Sequence, residues 1–402
     1  MAGALDGVRV IEIGQEIQGP YASLMLGDMG ADVIKIENRE TGDLARRTTV
    51  GVIAGADAPH AEFHQYFLLL NRGKRSLTLN LKDPRGKQVL SKLLATADVL
   101  ITNFRPGVLD RLGFGYEALK AEHPRLIYTC ASSWGPRGPW AKKPSRDMLA
   151  QAASGAMAKT GKEDDQPLPA GFCVADYSGA IMAFAGTLAA LYARERTGKG
   201  QRVDTSMFGA MLALQPWEIL QSSLIGKENR KAGRGHQFLH GVWGSFKTAD
   251  GWVALAGVED DRWARFCAII RRPDLVEDPD CQREGRNFKG DKIQKILDEI
   301  FPTRTTADWM ADLEAADLFA TPVAQYADVL NSPQAHENGY IRWMDHPEVG
   351  RIRMVGNPIE LSAMPMRPPL SAPALGEHNS KILAELGYDE AAIGELRAQS
   401  VV

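Results

Sequence analysis

Short runs of β-branched and other apolar residues alternate with longer segments of helical apolar spacing along roughly the first 200 residues. The run VRVIEI (residues 8–13) predicts a buried strand, and GPYASLMLGDMG predicts a helix that ends at Gly30. The run ADVIKIE (31–37) predicts a second buried strand. A strand, a helix and a strand in about 30 residues form a βαβ unit, which predicts a parallel sheet.

The same alternation continues downstream. Asp83 is a suitable N-cap, and Pro84 suits the first position, of a helix predicted over DPRGKQVLSKLLATA. The strand, helix and strand predicted after it are DVLITNF, YEALKAEHP and RLIYTCAS. These elements predict a doubly wound, Rossmann-like α/β domain.

Two long apolar helices follow. The first, YSGAIMAFAGTLAALYARERTG, has Gly198 just beyond its end, a position that favours glycine. The second is TSMFGAMLALQPWEILQSSLIG. The polar, glycine-rich residues 225–241 predict a linker, and short strands with amphipathic helices over 242–325 predict a smaller α/β domain. The tail predicts further strands and a last helix, GEHNSKILAELG.

Composition narrows the function classes. The 402 residues are 44% apolar and 24% charged, with a net charge of −3. We therefore expect no nucleic acid and no anionic membrane as a partner. The longest apolar stretch, AIMAFAGTLAALYA, is shorter than the roughly 20 residues that span a bilayer.

The four cysteines form no CxxC pair and have no metal-ligand spacing with histidine. They predict free thiols in a reducing compartment and no metal site. The N-terminal residues have neither a basic region nor a long apolar run, so they do not resemble a secretory signal. We expect a soluble, cytoplasmic protein.

A dinucleotide-binding site would place a GxGxxG fingerprint in the turn after the first predicted strand, which here reads GQEIQGP. Gly14 and Gly19 are five positions apart and Pro20 follows, so the GxGxxG fingerprint is absent. Glu37 ends the second strand, where a ribose-binding acid would lie, but one acid at a strand end is common. A nicotinamide-dependent oxidoreductase stays a disfavoured alternative.

Basic residues gather at the predicted loop ends of the first domain, where open α/β sheets bind ligands. They are Arg39, Arg72, Lys74, Arg75, Lys82, Arg105 and Arg111. In the loop NFRPG, an adenine can stack on Phe104 and phosphates can meet Arg105. The alternative interpretation, a solvated basic face beside a core phenylalanine, is favoured on composition alone.

Two aspartates precede predicted helices. Asp176 lies in PAGFCVADYSGAI, and as a helix cap it would accept backbone N–H groups and stay ionised. An ionised carboxylate among small residues is also a competent nucleophile for acyl groups. Asp147 follows Lys142, Lys143 and Arg146, and its simplest interpretation is a cap beside a basic loop.

Together these segments resemble the class III CoA-transferase family, of the carnitine and formyl-CoA transferase type. The stretches that carry the resemblance are LDGVRVIEIG, GPYASLMLGDMGADVIKIE, NRGKRSLTLNLKDPRGK, ADVLITNFRPGVLDRLGFGYEAL, ERTGKGQRVDTSMF and GEHNSKILAELGY. The resemblance implies an interlocked homodimer. It also implies a large CoA-binding domain built from residues 1–225 and 331–402, with 226–330 forming a small domain.

The resemblance implies a role for particular residues. Asp176 matches the catalytic nucleophile, and Asp147 lies where the formyl-CoA enzyme has a glutamate near the reacting groups. Arg146 and Gln18 are further candidates for binding the acid substrate, and Ile17 and Gln18 stand where that enzyme has a glutamine and a small residue. Contacts to CoA are implied for Leu79, Lys82, Asn103, Phe104 and Arg111, and Arg39, Arg105 and Lys143 are candidates at neighbouring positions. Arg39 follows the family's arginine position, which is Asn38 here, and Lys143 stands beside Pro144, which replaces a lysine.

The implied reaction moves CoA from a donor acyl-CoA to an acceptor carboxylic acid, through an aspartyl anhydride and an aspartyl-CoA thioester. Racemases of the same fold use a histidine at position 146, and Arg146 is a very poor base, so racemisation is disfavoured. We expect Arg146 to bind a carboxylate of a dicarboxylic or hydroxy acid, or else to be an ordinary surface arginine. A CoA-binding protein without catalysis is the remaining alternative.

Overall fold

The computed structural model describes residues 3–402, with the backbone alone at residues 287 and 289. The strands are β1 Arg9–Ile13, β2 Asp32–Glu37, β3 Arg75–Thr78, β4 Val99–Thr102, β5 Ile127–Ser132, β6 Arg202–Ser206, β7 Trp243–Lys247, β8 Trp252–Ala256, β9 Ala320–Pro322, β10 Ile341–His346 and β11 Gly350–Val355.

The α-helices are α1 Gln18–Asp28, α2 Val50–Ala54, α3 Gln65–Asn71, α4 Pro84–Leu94, α5 Val108–Leu112, α6 Tyr116–Glu122, α7 Asp147–Ala153, α8 Ala156–Lys159, α9 Val174–Thr197, α10 Met207–Ala213, α11 Pro216–Ile225, α12 Asp260–Ile269, α13 Asp291–Ile300, α14 Thr306–Ala315, α15 Tyr326–Asn331, α16 Pro333–Glu337, α17 Asn379–Glu385 and α18 Glu390–Ala398. Short 3-10 or π turns lie at Leu44–Arg47, Pro273–Leu275, Pro279–Cys281, Gly285–Lys289 and Phe301–Thr303.

The chain forms two compact units. Of the described residues, the first unit contains 3–154, 172–214 and 332–402, and the second contains 155–171 and 215–331. This division differs from the predicted boundaries, because residues 155–171 and 215–225 fall in the second unit. Within that unit, the N–H of Ala232 donates to the carbonyl of Lys159 over 2.8 Å. His236 Nε2 lies 2.9 Å from Glu218 Oε1, which joins α11 to the segment predicted as a linker.

The first unit is built on a six-stranded sheet in the order β3-β2-β1-β4-β5-β6, and all of its pairs are parallel. This is the order of doubly wound nucleotide-binding sheets. The predicted mixed α/β fold with a parallel sheet is therefore confirmed. The pattern did not predict β3, which has only four residues, or β6, whose Arg202 and Asp204 are charged.

Helices cover both faces of this sheet. Val10, Val33 and Val99 point to one face and share a core with residues of α1 and α9. Ile11 and Leu100 point to the other face and share a core with α4, α6, α17 and α18. Because side chains alternate along a strand, the four consecutive buried residues 10–13 of β1 require helices on both sides.

Several helix ends follow the predicted rules. Asp83 caps α4 by accepting from the N–H of Arg85 at 2.8 Å, and Pro84 is the first helical residue. Gly198 ends α9 in the left-handed conformation, with φ of 71°. The second long helix was predicted as one element, but it is broken before Pro216, where α11 begins. Proline lacks the N–H that would continue α10.

Helix α9 is longer than its apolar stretch suggested. Its 24 residues are long and apolar enough to cross a membrane by length and composition, and half of the apolar window is buried inside the fold. The core helix of a soluble domain passes the same test. Its contacts with α1, α10, β5 and β6 account for its apolar character here.

The second unit contains an antiparallel sheet in the order β7-β8-β9. Its core is aromatic: Phe301 lies between Phe246 and Trp309, with ring centroids 5.3 and 4.7 Å away. Helices α12, α13 and α14 contribute to the same core. The short strands and amphipathic helices predicted for this region are thus present.

Candidate active site

A cavity of about 420 Å³ lies at the carboxyl ends of β1, β2 and β4 in the first unit. The strand order reverses between β1 and β4, and such a switch point is where open α/β sheets bind ligands. Four of the residues predicted to bind CoA line the cavity: Arg39, Leu79, Lys82 and Phe104. An aromatic face, two cations and an apolar wall suit a nucleotide with phosphates.

Asn103, also predicted to bind CoA, is not among the residues that line this cavity, but it fixes the backbone of Gln15, which is. Its Oδ1 accepts from the N–H of Gln15 at 3.0 Å, and its Nδ2 donates to the carbonyl of Gln15 at 2.7 Å. A Cβ on Gly14 would lie 2.8 Å from Asn103 Oδ1, and one on Gly19 would lie 3.3 Å from its Cγ. Gly14 and Gly19, which do not form a GxGxxG fingerprint, therefore leave space for the Asn103 amide.

Three other residues predicted to bind CoA lie elsewhere in the first unit. Arg105 lines a separate cavity of about 190 Å³, which shares Phe104 with the first one. Arg111 lies against Gly107 at the start of α5. The Lys143 ammonium faces the ring of Trp140, 5.2 Å from its centroid. The structure does not bring these cations into the larger cavity.

Three of the residues in the predicted basic face form ion pairs within the fold. Arg72 forms a buried pair with Asp28, and Lys74 Nζ lies 2.6 Å from Glu12 Oε2. Arg75 pairs with two carboxylates, those of Asp32 at 2.6 Å and Glu385 at 2.8 Å. Glu37, the candidate ribose ligand, instead receives both Nε and Nη2 of Arg46 at 2.8 Å. The charges of these four residues are therefore paired within the protein.

Asp176 lies in the first turn of α9 but does not cap it. The N-cap residue is Cys173, whose side chain makes no capping hydrogen bond. The cap comes from Asp147, whose Oδ1 accepts from the N–H of Ala175 at 2.7 Å and of Asp176 at 3.0 Å. The prediction that Asp176 caps its own helix is wrong, because a carboxylate 29 residues away occupies the helix start.

Asp147 does not cap its own helix either. It is the first residue of α7, after Arg146 at the N-cap position. Its Oδ2 accepts from Gln151 Nε2 at 2.5 Å, and it is buried. Both of its oxygens are thus engaged, and its role is to join the starts of α7 and α9 while it places a second carboxylate beside Asp176.

The carboxylate of Asp176 has no hydrogen-bond partner among residues 3–402, and it is half-buried. Burial and the negative charges of Asp147 and Glu16 raise its pKa to about 7, and Arg146 lowers it in part. The sequence predicted a helix start that holds Asp176 ionised. Asp147 accepts from those N–H donors instead. With its raised pKa, Asp176 is present in both its protonated and its ionised form near neutral pH.

Glu16 and Arg146 act electrostatically on Asp176, and Gln18 lies against its helix at Gly179. Arg146 Nη1 lies 3.0 Å from Glu16 Oε1. Gln18 is buried and donates from Nε2 to the carbonyl of Ser132 at 3.3 Å. A Cβ on Gly179, one helical turn after Asp176, would lie 2.4 Å from Gln18 Nε2, so a glycine is required there for Gln18 to approach α9.

Sequence reasoning missed Tyr66 and Glu16. Burial and the nearby charges of Glu16 and Asp176 raise the pKa of the Tyr66 phenol. Glu16 has a positive φ of 58°, which is uncommon for a residue other than glycine. No local sequence signal marks either residue, since only the fold brings them to Asp176.

A buried ionic network supports the loop that carries Glu16. Lys35 is fully buried, and its Nζ lies 2.5 Å from Glu12 Oε1, 2.7 Å from Asp43 Oδ2 and 3.1 Å from the carbonyl of Gly14. Asp43 Oδ1 in turn accepts from the N–H of Glu16 at 3.0 Å. The network therefore fixes the turn between β1 and α1.

Ligand atoms of Asp147, Cys173 and Asp176 lie within 4.8 Å of one another, a spacing that three metal ligands can have. Both Asp147 oxygens already accept hydrogen bonds. Burial and the neighbouring carboxylates raise the pKa of the Cys173 thiol, which disfavours the thiolate that binds metals. The cluster is better suited to acid–base and acyl chemistry than to a metal ion.

Comparison with known proteins identifies relatives of this chain. A succinyl-CoA:glutarate CoA-transferase from Mus musculus is 33% identical over 99% of this chain and 90% of its own length. A succinyl-CoA:mesaconate CoA-transferase from Haloarcula marismortui is 35% identical, over 96% of this chain and 97% of its own length. An acetyl-CoA:oxalate CoA-transferase from Acetobacter aceti is 35% identical, over 97% of each chain.

The fold is also that of a solved structure. A CAIB/BAIF family protein from Brucella suis superposes with a TM-score of 0.82 at 29% identity, over 96% of this chain and 100% of its own. The sequence profile of CoA-transferase family III matches residues 5–379. The resemblance seen in the sequence is thereby confirmed, and the chain belongs to CoA-transferase family III and is an enzyme of that class.

Proposed function

We propose that this enzyme transfers CoA from an acyl-CoA to a free dicarboxylic acid, with Asp176 as the nucleophile. The observation that carries the proposal is the Asp176 carboxylate itself, which is half-buried at the start of α9 and has no hydrogen bond to any residue in the described part of the chain. The relatives' names contain succinyl, glutarate, mesaconate or oxalate, which supports a dicarboxylic substrate.

CoA would lie along the carboxyl edge of the sheet. Its adenine stacks on Phe104, and its phosphates meet Arg39 and Lys82 in the larger cavity. Gln15 lines that cavity and is followed by Glu16, whose charge acts on Asp176. The pantetheine arm would follow this turn toward Asp176. Arg105, Arg111 and Lys143 lie outside this cavity, so they could contact only the part of CoA that extends beyond it.

The proposed reaction has four steps and consumes no ATP. Asp176 attacks the thioester carbonyl, the C–S bond breaks, and a mixed anhydride and CoA thiolate form. The thiolate attacks the aspartyl carbonyl, which releases the donor acid and leaves an aspartyl-CoA thioester. The acceptor carboxylate displaces the thiolate to give a second anhydride, and the thiolate then attacks the acceptor's carbonyl. The new acyl-CoA leaves and Asp176 is restored.

The oxyanions of these steps need donors other than the helix start. The N–H groups of Ala175 and Asp176 are occupied by Asp147, and that of Val174 donates to the carbonyl of Phe172. Gln18 uses one Nε2 hydrogen for Ser132. Its second Nε2 hydrogen is the donor that we assign to the oxyanion, because Gly179 lets the amide approach the Asp176 face of α9.

Racemisation is less well supported by the geometry. Such a reaction needs a second base opposite Asp176, and position 146 holds an arginine paired with Glu16. A protein that only binds CoA would not need Asp147 and Glu16 to raise the pKa of Asp176, because Asp176 does not line the proposed CoA cavity. Transfer through Asp176 uses all of these groups.

We also propose a homodimer, of the interlocked type that the family resemblance implies. Exposed apolar side chains line α11, namely Trp217, Leu220, Leu224 and Ile225. Ile181 and Tyr192 of α9 are exposed as well. Isolated soluble chains seldom leave such helices uncovered, so a second copy is the expected cover. A cytoplasmic location stays a prediction.

The exchange assay tests the proposed function. Purified protein is incubated with succinyl-CoA and glutarate, without ATP, and we expect glutaryl-CoA to form as succinate is released. Total thioester should stay constant, because an anhydride preserves the thioester energy. Loss of thioester as free CoA would indicate a hydrolase, and no exchange over a panel of acyl-CoAs and acids would contradict the proposal.

The pH profile follows from the raised pKa of Asp176. Only the ionised carboxylate attacks, so kcat/KM should rise with pH through about 7. Roughly a tenth of the enzyme is ionised at about pH 6 and nine tenths at about pH 8. In Asp147→Asn the nearby charge is lost while an oxygen remains to cap α9, so the acid limb should move to lower pH. A flat profile from about pH 5 to 9 would contradict this assignment.

A further inference from the structure

Arg146 and Glu16 form an ion pair of unusual shape. Both Glu16 oxygens contact the same guanidinium nitrogen, Nη1, at 3.0 and 3.4 Å. Nε and Nη2 of Arg146 have no partner among the residues that the structure describes. Glu16 thus holds the guanidinium by one corner and leaves its Nε–Nη2 edge open. That edge presents two parallel N–H donors, which can bind both oxygens of a carboxylate.

The two residues are held in place by the backbone. Glu16 has a φ of 58°, and its N–H donates to Asp43 Oδ1 at 3.0 Å. The preceding residue, Gln15, is fixed by both ends of the Asn103 amide. The backbone of the turn that carries Glu16 is therefore held in place by hydrogen bonds. From this turn, Glu16 can restrain the long, flexible side chain of Arg146.

Arg146 lies close enough to the proposed nucleophile, Asp176, to act on it electrostatically. Arg146 directly precedes Asp147, and Asp147 Oδ1 is 3.0 Å from the N–H of Asp176. Consecutive Cα atoms are about 3.8 Å apart, so the Arg146 side chain starts within a few ångströms of the site. Both Arg146 and Glu16 act electrostatically on Asp176, which agrees with this placement.

The ion pair does little for stability. The Arg146 and Glu16 side chains are 75% and 37% exposed, and pairs of this kind contribute little to folding. Its consequence is the orientation of the guanidinium. A free arginine samples many rotamers, and restraining it beforehand removes part of the entropic cost of binding an anion.

We propose that Glu16 is a positioning residue, which holds Arg146 so that its Nε–Nη2 edge binds the distal carboxylate of a dicarboxylic acid. Glu16 and Arg146 together would then select diacids over monoacids of equal chain length. The inference rests on the proposed function, because it assumes that the acid's other carboxylate reacts at Asp176.

The test compares glutarate with valerate, which lacks the second carboxylate but has the same chain length. The full-length protein is assayed as wild type, Glu16→Gln and Arg146→Lys. Affinity is measured as KM, or as an inhibition constant for an acid that is not turned over. Glu117→Gln, an exposed substitution on α6, is the matched control.

We expect wild type and Glu117→Gln to bind glutarate more tightly than valerate. In Glu16→Gln the ratio of the two constants should shift about tenfold toward valerate, the usual scale for one charge-assisted hydrogen bond. Arg146→Lys should shift it in the same direction, because an ammonium lacks the planar fork. Circular dichroism and the unfolding temperature should stay those of wild type.

An unchanged ratio in Glu16→Gln would overturn the inference and leave the proposed function standing, provided that CoA exchange still occurs. An equal loss of affinity for both acids would also overturn it, since that result indicates a general structural effect. Absence of CoA exchange in the wild type would instead contradict the proposed function, and the inference would fall with it.

Discussion

Replacing Asp176 with asparagine is expected to lower kcat by about 10⁴-fold or more, the scale seen when a covalent nucleophile is removed. The amide has the same shape as the carboxylate but cannot form an anhydride by attack on a thioester. The carboxylate makes no hydrogen bond in the described part of the chain, and Asp147 caps α9, so the fold should survive the change.

Binding of CoA should persist in this variant. The cavity that would hold the nucleotide is lined by residues such as Phe104 and Lys82, and Asp176 is not among them. Titration calorimetry should give a similar dissociation constant for wild type and Asp176→Asn. Asp164→Asn, in an exposed loop, is the matched control and should keep full turnover. Substantial CoA exchange by Asp176→Asn would show that another group is the nucleophile.

Replacing Lys35 with methionine is the second large effect, and it acts on stability. Lys35 is fully buried between Glu12 and Asp43. Its loss leaves buried carboxylates without one of their cations, which costs about 3–5 kcal/mol when one partner of a buried pair is removed. Lys74 continues to neutralise Glu12 from the other side, at 2.6 Å, and so limits the damage.

Chemical denaturation measures this change as a lower free energy of unfolding. Lys82→Met is the matched control, because Lys82 is exposed and makes no ion pair within the described residues. It should unfold like the wild type while its affinity for CoA falls. If Lys35→Met unfolds at the same denaturant concentration as the wild type, the network does not stabilise the β1–α1 turn.

The sequence predicted those parts of the fold that depend on local pattern. β1 and β2 lie within one residue of their predicted bounds, since runs of apolar residues mark buried parallel strands. The cap at Asp83 and the stop at Gly198 follow from residues next to the helix ends. β6 was missed because Arg202 and Asp204 break its apolar pattern.

The site was harder to predict because its contacts are non-local. Asp176 and Asp147 were both recognised as candidates, but each was assigned as the cap of its own helix. The actual bond crosses from α7 to α9. Likewise, Arg75 was grouped with basic residues at predicted loop ends that could meet a ligand or solvent, but Glu385 pairs with it from 310 positions away. Charge partners at such separations leave no periodic trace in the sequence.

The resemblance supplied what local pattern could not. Asp176 as a nucleophile came from matching motifs, and its physical setting came from the fold. Burial beside Asp147 and Glu16 raises the pKa of Asp176 to about 7, so its ionised form is more basic than that of an exposed aspartate. In the proposed reaction only this ionised form attacks, which is why activity is expected to rise with pH.

The most direct test is to trap the covalent intermediate. The enzyme is mixed with an acyl-CoA donor such as succinyl-CoA, quenched with hydroxylamine and digested for mass spectrometry. Hydroxylamine converts an aspartyl anhydride or thioester into a hydroxamate. We predict a hydroxamate at Asp176, in the peptide that contains PAGFCVADYSGAI, and none in Asp176→Asn. A label on Asp147, or no label while the enzyme exchanges CoA, would contradict the assignment of Asp176 as the nucleophile.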